Sequence, residues 1–272
     1  MKMKQYPVIL SIAGSDCSGG AGIQADIKTI SALGGYAASA ITAVTVQNTL
    51  GVQAVQGVSP DIVCGQVEAV MSDLQPAAVK IGMVNDIAIV RVIAACLQKY
   101  QPRHVVYDPV MVSTSGRKLM TDETIGAIKE ELLPRVSLLT PNLDEARVLT
   151  GKDIRHLEEM KEAALSLVST YHVPMLIKGG HLEGDRMCDL LCTADAAIHL
   201  FEEKKIDSSN LHGTGCTLSS AIATWLAKGA TLEASVRRAK AYVTQAIIEG
   251  KDLHIGHGNG PLWHFPESAV QM

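Results

Sequence analysis

Short apolar, β-branched runs alternate along this chain with stretches whose apolar residues recur at helical spacing, and that alternation constrains the fold most. Val8-Ile9-Leu10-Ser11-Ile12-Ala13 reads as a strand buried on both faces, and Tyr36 to Val46, Ala78-Val79-Lys80-Ile81-Gly82-Met83, Val105-Val106-Tyr107, Val136 to Thr140 and Met175-Leu176-Ile177 read as further strands. Between them come helical patterns: Ile23, Ile27 and Ile30, then Val63, Val67, Val70, Met71 and Leu74, then Ile89, Val90, Ile93, Ala94 and Leu97. Further helices are predicted from about Asp122 to Leu133, from Asn142 to Gly151, near Leu157 to Thr170, and from about Leu232 to Glu249. Ser59-Pro60-Asp61 is a helix start, with an N-cap, a proline at the first position and an early acid. Gly51 to Val58 predicts a short strand near an edge, and Asp189-Leu190-Leu191 with Ile198-His199-Leu200 predicts an antiparallel edge. The pattern implies an α/β fold, a three-layer αβα sandwich with a mostly parallel central sheet. No internal repeat, low-complexity tract or linker divides it, so residues 1–272 are expected to form a single domain.

Charge and cysteine usage narrow the function. A formal net charge of −4 leaves no footprint for nucleic acid or an anionic membrane, so any phosphate must be bound locally. No apolar run reaches the roughly 20 residues of a spanning helix, and Met1 to Pro7 leads into a first strand rather than a signal peptide. The six cysteines form no C-x-x-C pair or disulfide framework, which points to a reducing, cytoplasmic setting. Cys64 and Cys96 fall inside predicted helices as small core residues. The nine histidines contain no H-E-x-x-H, and His254 and His257 sit in a Gly-rich tail.

One turn stands apart. In Leu211-His212-Gly213-Thr214-Gly215-Cys216-Thr217-Leu218, two glycines around a threonine allow a tight turn. Leu218, Ala221, Ile222, Trp225 and Leu226 then mark one face of a helix that Gly229 ends. The helix's first free N–H groups and its positive dipole end therefore face the turn, a place suited to phosphate. Cys216 lies in the first helical turn, where that field favours a thiolate. An ordinary capped helix with a packed thiol is the plainer reading of the same residues.

A second glycine-rich segment, Gly14 to Gly22, follows the first strand. It is not a P-loop, because Gly20 stands where the phosphate-binding lysine must be. Nor is it a dinucleotide fingerprint, because no Asp or Glu occurs between Asp26 and Asp61. What remains is a flexible loop over a small substrate. Open α/β sheets bind ligands beyond the carboxyl ends of their strands. Gln47, Met83, Asp108, Asn142, Glu145 and Lys178 each come just after a predicted strand and should share one rim with the Gly213–Cys216 turn. Taken singly, each is also a solvated loop residue or a helix cap, Asn142 above all. Together they supply two carboxylates, an amide, a lysine and an anion-binding helix end, the groups that Mg²⁺-assisted phosphoryl transfer needs.

These residues resemble a known family. Ala13-Gly14-Ser15-Asp16 with Ser18 to Asp26, Thr42-Ala43 with Gln47-Asn48-Thr49, and Lys80-Ile81-Gly82-Met83 are similar to the ribokinase-like superfamily. So are Asp108-Pro109-Val110-Met111, Thr140-Pro141-Asn142 with Glu145, Lys178-Gly179-Gly180 and His212 to Thr217. The ordered set, from about residue 8 to Gly260, resembles the hydroxymethylpyrimidine/phosphomethylpyrimidine kinase branch, which serves thiamine synthesis. The resemblance implies a ribokinase-like fold, a homodimer, and two successive transfers from ATP with Mg²⁺. The first goes to the alcohol of 4-amino-5-hydroxymethyl-2-methylpyrimidine and the second to the monophosphate. It implies that Gln47 binds the aminopyrimidine, that Asp26, Met83, Gly14 and Val110 line the substrate pocket, and that Asp108 and Glu145 organise Mg²⁺. Asn142, Lys178 and Thr214 would contact ATP. Gly213, Thr214 and Gly215 would form the anion hole, with Cys216 beside the accepting hydroxyl.

Three rivals remain open. A pyridoxal/pyridoxine kinase acts on a similar flat hydroxymethyl heteroaromatic. In the double-cysteine pyridoxal kinases that this chain resembles, a second cysteine follows the Asp-Pro-Val-Met-Val segment, where this chain has Ser113. A ligand-binding regulator that lost catalysis is opposed by intact Asp108, Asn142, Glu145, Lys178 and Cys216. A cysteine-nucleophile hydrolase needs a base beside Cys216, and His212 is expected to flank the turn instead.

Overall fold

The computed structural model describes residues 6–111, 120–180 and 186–267. Among these, nine strands form one sheet in the order β3-β2-β1-β4-β5-β6-β7-β8-β9. They are β1 (Val8–Asp16), β2 (Tyr36–Asn48), β3 (Gly51–Gly57), β4 (Ala78–Ile81), β5 (Val105–Tyr107), β6 (Leu138–Leu139), β7 (Met175–Ile177), β8 (Arg186–Cys192) and β9 (Ile198–Lys204). From β2 through β7 every pairing is parallel, while β3 at one edge and β8–β9 at the other run antiparallel. The helices are α1 (Gly22–Ala32), α2 (Pro60–Asp73), α3 (Ile87–Tyr100), α4 (Asp122–Ala127), α5 (Leu143–Thr150), α6 (Leu157–Tyr171), α7 (Thr214–Ala227) and α8 (Leu232–Gly250). No helix among the described residues is long and apolar enough to cross a membrane.

The side-chain period of a strand divides the core in two. Leu10, Ile12, Val79, Ile81, Tyr107 and Leu139 face one way and pack against α2 to α6. Ile9, Ala78, Val106, Leu138 and Leu176 face the other way and pack against α1, α7 and α8. The three-layer αβα sandwich follows directly, because strands buried on both faces need a helical layer on each. Ile12 has no exposed surface, so cutting it to alanine costs about 2–5 kcal/mol.

Four local features differ from the sequence reading. β1 runs on through Gly14-Ser15-Asp16, because Ser15 and Asp16 continue to pair with Val44 and Thr45 of β2 past an irregularity after Ala13. Ile27 of α1 is 38% exposed; the buried face of that helix carries Asp26 and Thr29 between Ile23 and Ile30. The helix expected over Asp122 to Leu133 breaks into α4, a π turn at Ile128–Leu132 and a 3₁₀ turn at Leu133–Arg135, where Pro134 has no N–H to continue a ladder. Finally, α7 is buried all round from Thr217 to Leu226 rather than along one apolar face. Two of its buried hydroxyls are satisfied within the helix: Ser219 Oγ donates to the Gly215 carbonyl and Thr224 Oγ1 to that of Ser220. The Ser113–Lys118 segment, on which the comparison with the double-cysteine kinases turned, lies outside the described residues.

Candidate active site

The parallel strands all point their carboxyl ends at one rim, and the turn that opens α7 lies on the same rim. A cavity of about 280 Å³ there is bordered by Gly14, Gln47, Met83, Asp108, Val110, Asn142, Glu145, Lys178, Gly213, Gly215 and Cys216. Eleven expected site residues from seven separate segments therefore meet. Two expected residues do not. Asp26 has no exposed surface and does not border the cavity; its carboxylate is fully engaged below the floor. Thr214 also falls outside the lining, because its hydroxyl and its amide both turn back to the Leu211 carbonyl.

The α7 turn is locked against the glycine-rich loop by backbone contact. Gly213 adopts φ +86°, and a β-carbon on it would fall 1.9 Å from the Gly20 carbonyl oxygen. Only glycine fits that position. The next residues, Gly215 and Cys216, occupy the second and third positions of α7, where amides have no carbonyl one turn back.

Opposite the turn lies a charged cluster. Lys178 Nζ is 2.7 Å from Asp108 Oδ1, which also accepts from Thr140 Oγ1 at 3.2 Å. Gly215 packs so close that a β-carbon would stand 3.3 Å from both Asp108 Oδ2 and Lys178 Nζ. Burial opposes the charge on Lys178, but Asp108 and Glu145 outweigh it and hold the ammonium above its ordinary value. Asn142 and Glu145 form a reciprocal capping box on α5: Glu145 Oε2 accepts the Asn142 amide at 2.7 Å, and Asn142 Oδ1 accepts the Glu145 amide at 2.9 Å. The capping role foreseen for Asn142 is thus present alongside its place in the cavity wall. Burial lifts the Glu145 carboxyl to about 7, with Asp108 adding to the shift and Lys178 opposing it. Two hard carboxylates border the same cavity, one of them held partly protonated by burial. That donor set fits a hydrated Mg²⁺ that takes one or two protein oxygens and fills the rest with water and phosphate.

Cys216 departs from the sequence expectation. Burial lifts its thiol to about 11, and Asp26 and Asp108 add to that, against the opposing effect of Lys80 and of a hydrogen bond from the Gly22 amide. The helix-end field does not overcome desolvation, so the free protein carries a thiol.

The profile of the phosphomethylpyrimidine kinase family matches residues 16–263. The chain belongs to that family. Hydroxymethylpyrimidine/phosphomethylpyrimidine kinase from Rhizobium meliloti (strain 1021) is 51% identical over 259 residues, covering 95% of this chain and 97% of its own length. The crystal structure of phosphomethylpyrimidine kinase from Clostridium difficile 630 superposes with a TM-score of 0.79 at 42% identity, over 89% of this chain and 99% of that one. Pyridoxal kinase from Staphylococcus aureus in complex with AMP-PCP and pyridoxal superposes with a TM-score of 0.87 at 31% identity, over 97% and 95%. The ribokinase-like fold is therefore shared with both kinds of vitamin kinase, while sequence identity is higher to the pyrimidine enzymes.

Groups beyond the expected site residues also shape this rim. Asp16 organises the glycine-rich loop: Oδ1 accepts the Ser18 amide and hydroxyl, and Oδ2 accepts the Gly20 and Ala21 amides. His212 Nε2 lies 2.9 Å from Asp16 Oδ2 and 3.2 Å from Gln47 Nε2, joining the α7 turn to both the loop and the Gln47 amide. The His212–Asp16 contact and the loop amides keep the Asp16 carboxyl well below its usual range despite burial. Under the floor, Lys80 Nζ lies 2.8 Å from Asp26 Oδ2, and Ser11 and Ser220 donate to the same carboxylate. The available signal was a lysine in an otherwise apolar strand, Ala78-Val79-Lys80-Ile81, which demands a buried partner.

Proposed function

We propose that this phosphotransferase moves the γ-phosphoryl group of ATP first to the hydroxymethyl oxygen of 4-amino-5-hydroxymethyl-2-methylpyrimidine, then a second one to the monophosphate, for thiamine synthesis. The observation that carries the reading is the convergence of Asp108, Lys178 and the Gly213–Cys216 turn on one cavity, with Gln47 on its wall. A loose phosphoryl transition state needs alignment and charge neutralisation more than covalent help from the protein. Gly215 and Cys216 offer backbone N–H groups to the migrating phosphoryl oxygens. Lys178 neutralises charge on the phosphates, with Asn142 beside it. Asp108 and Glu145 would hold Mg²⁺, which would supply further charge neutralisation at the phosphates. Gln47 and Met83 orient the flat ring, and Gly14 and Val110 close around it.

In the first transfer the Cys216 thiol first gives its own proton to water; the bond from the γ-phosphorus to the bridging oxygen then breaks, the substrate oxygen bonds to phosphorus, and the alcohol proton passes to the Cys216 sulfur. The Lys80 ammonium and the Gly22 amide support that thiolate against burial and the carboxylates of Asp26 and Asp108. In the second transfer the acceptor is an already anionic phosphate oxygen, so no base is needed. The exposed Val44, Val46 and Leu50 on the β2–β3 edge support a homodimer, and six free cysteines suit a cytoplasmic setting. Light scattering in solution measures the first of these.

Phosphorylation of pyridoxal or pyridoxine is the second reading, favoured by the fold shared with the S. aureus enzyme. Product analysis with ATP, Mg²⁺ and a panel of hydroxymethyl pyrimidines and pyridines separates them. ATP use that depends on the aminopyrimidine is expected; ATP use with pyridines alone would replace the first reading with the second. No ATP use with any of them would leave a ligand-binding regulator.

A further inference from the structure

Away from the rim, α2 and α3 lie side by side and bring together three groups of a different chemistry. Cys64 on α2 and Cys96 on α3 place their sulfurs 3.8 Å apart. Glu68, one turn after Cys64 on α2, completes a set in which the two sulfurs and a carboxylate oxygen all lie within 4.8 Å of one another. From these positions we infer a binding site for a thiophilic divalent cation of the Zn²⁺ class, held by Cys64, Cys96 and Glu68, with water as the fourth ligand.

The dimensions support it. A tetrahedral Zn²⁺ with Zn–S bonds of about 2.3 Å spaces two thiolates by about 3.8 Å, the separation already present. The same geometry puts a carboxylate oxygen about 3.6 Å from each sulfur, so Glu68 needs to close by no more than about 1.2 Å, within the reach of a rotamer change. Access is available, because Cys96 is buried while Cys64 is half-buried and the Glu68 side chain is 40% exposed. Both Cys64 and Glu68 stand on one helix at i and i+4, so one face presents two ligands without backbone movement. The present partner of Glu68 is Lys99, 2.6 Å away on α3, whose side chain is 59% exposed and free to swing into solvent. Burial and Cys64 lift the Cys96 thiol to about 12, so coordination must release its proton, as metal binding to a thiol does. On binding, two S–H protons leave to solvent and two metal–sulfur bonds form, with no change of oxidation state.

The test is a titration of the full-length protein with Cd²⁺, read by the ultraviolet thiolate-to-metal charge-transfer band, and with Zn²⁺ in competition. One equivalent per chain with two thiolates per ion is expected, and Zn²⁺ should displace it. Cys64→Ser should weaken binding at least tenfold and Glu68→Gln several-fold, with the helical circular dichroism and the kinase rate of each variant unchanged. Lys99→Met removes the competing cation and should tighten binding. A wild-type band that persists undiminished in Cys64→Ser, or no band at all at one equivalent, would overturn the site.

Discussion

Lys178 Nζ and Asp108 Oδ1 stand 2.7 Å apart, and Gly215 closes over the pair so tightly that a β-carbon would lie 3.3 Å from each residue. Gly215 is helical, so alanine there is favourable for the backbone by up to about 1 kcal/mol. It is unfavourable for the site, since the methyl must push Asp108 or Lys178 by a few tenths of an ångström or more. Gly215→Ala is therefore expected to lower kcat by roughly 10²-fold while leaving the thermal midpoint unchanged or raised. Steady-state rates and a melting curve on the same preparation check both halves. A variant that melts early would mean the glycine is needed for folding.

Glu145 gives the site a pH dependence of known sign. Its folded-state value, about 7, lies above the ordinary 4.5, so the folded protein binds the extra proton in that window. The stability this contributes is complete below about pH 4.5 and is lost as pH rises through about 7. On the proposed reading the same ionisation prepares the carboxylate for Mg²⁺, so apparent Mg²⁺ affinity should rise as pH increases from about 6 to 8. Denaturant midpoints of the free protein and Mg²⁺ titrations of activity across that range provide the two readouts. Glu145→Gln should flatten the stability profile, and an unchanged profile would remove Glu145 from this role.

The buried Lys80–Asp26 pair yields a stability prediction. Lys80→Met leaves a carboxylate with no exposed surface without its cation, which costs about 3–5 kcal/mol. Replacing both, as Lys80→Met with Asp26→Leu, should recover part of that loss, because two apolar groups need no partner. Urea denaturation of the two single variants and the double variant measures the cycle.

What could be read from the sequence and what could not divides along sequence distance. The first strand showed its two-sided burial in the continuous apolar run Val8 to Ala13, and the ends of later strands located Asp108, Asn142 and Lys178 on one rim without any contact being known. Asp26 was misplaced because its surroundings are fixed by Lys80, 54 residues later, and by Ser220, 194 residues later. The link between Asp16 and His212 spans 196 residues and leaves no local trace. The thiolate expected at Cys216 followed from the helix end alone; burial, a tertiary property, reverses it.

On the proposed mechanism Cys216 distinguishes the two transfers: Cys216→Ala removes the acceptor for the alcohol proton but nothing that a phosphate acceptor needs. The first transfer should slow by about 10²-fold or more, and the second by far less. Single-turnover assays started from the alcohol and from the monophosphate compare them, and equal losses would contradict a proton-accepting role.

The most direct measurement supplies purified 4-amino-5-hydroxymethyl-2-methylpyrimidine monophosphate with ATP and Mg²⁺ and follows the phosphorus resonances of the product. A pyrimidine diphosphate formed with one ADP per turnover is expected, with loss of that product in Lys178→Met. A protein that leaves the monophosphate untouched while phosphorylating pyridoxal would contradict it.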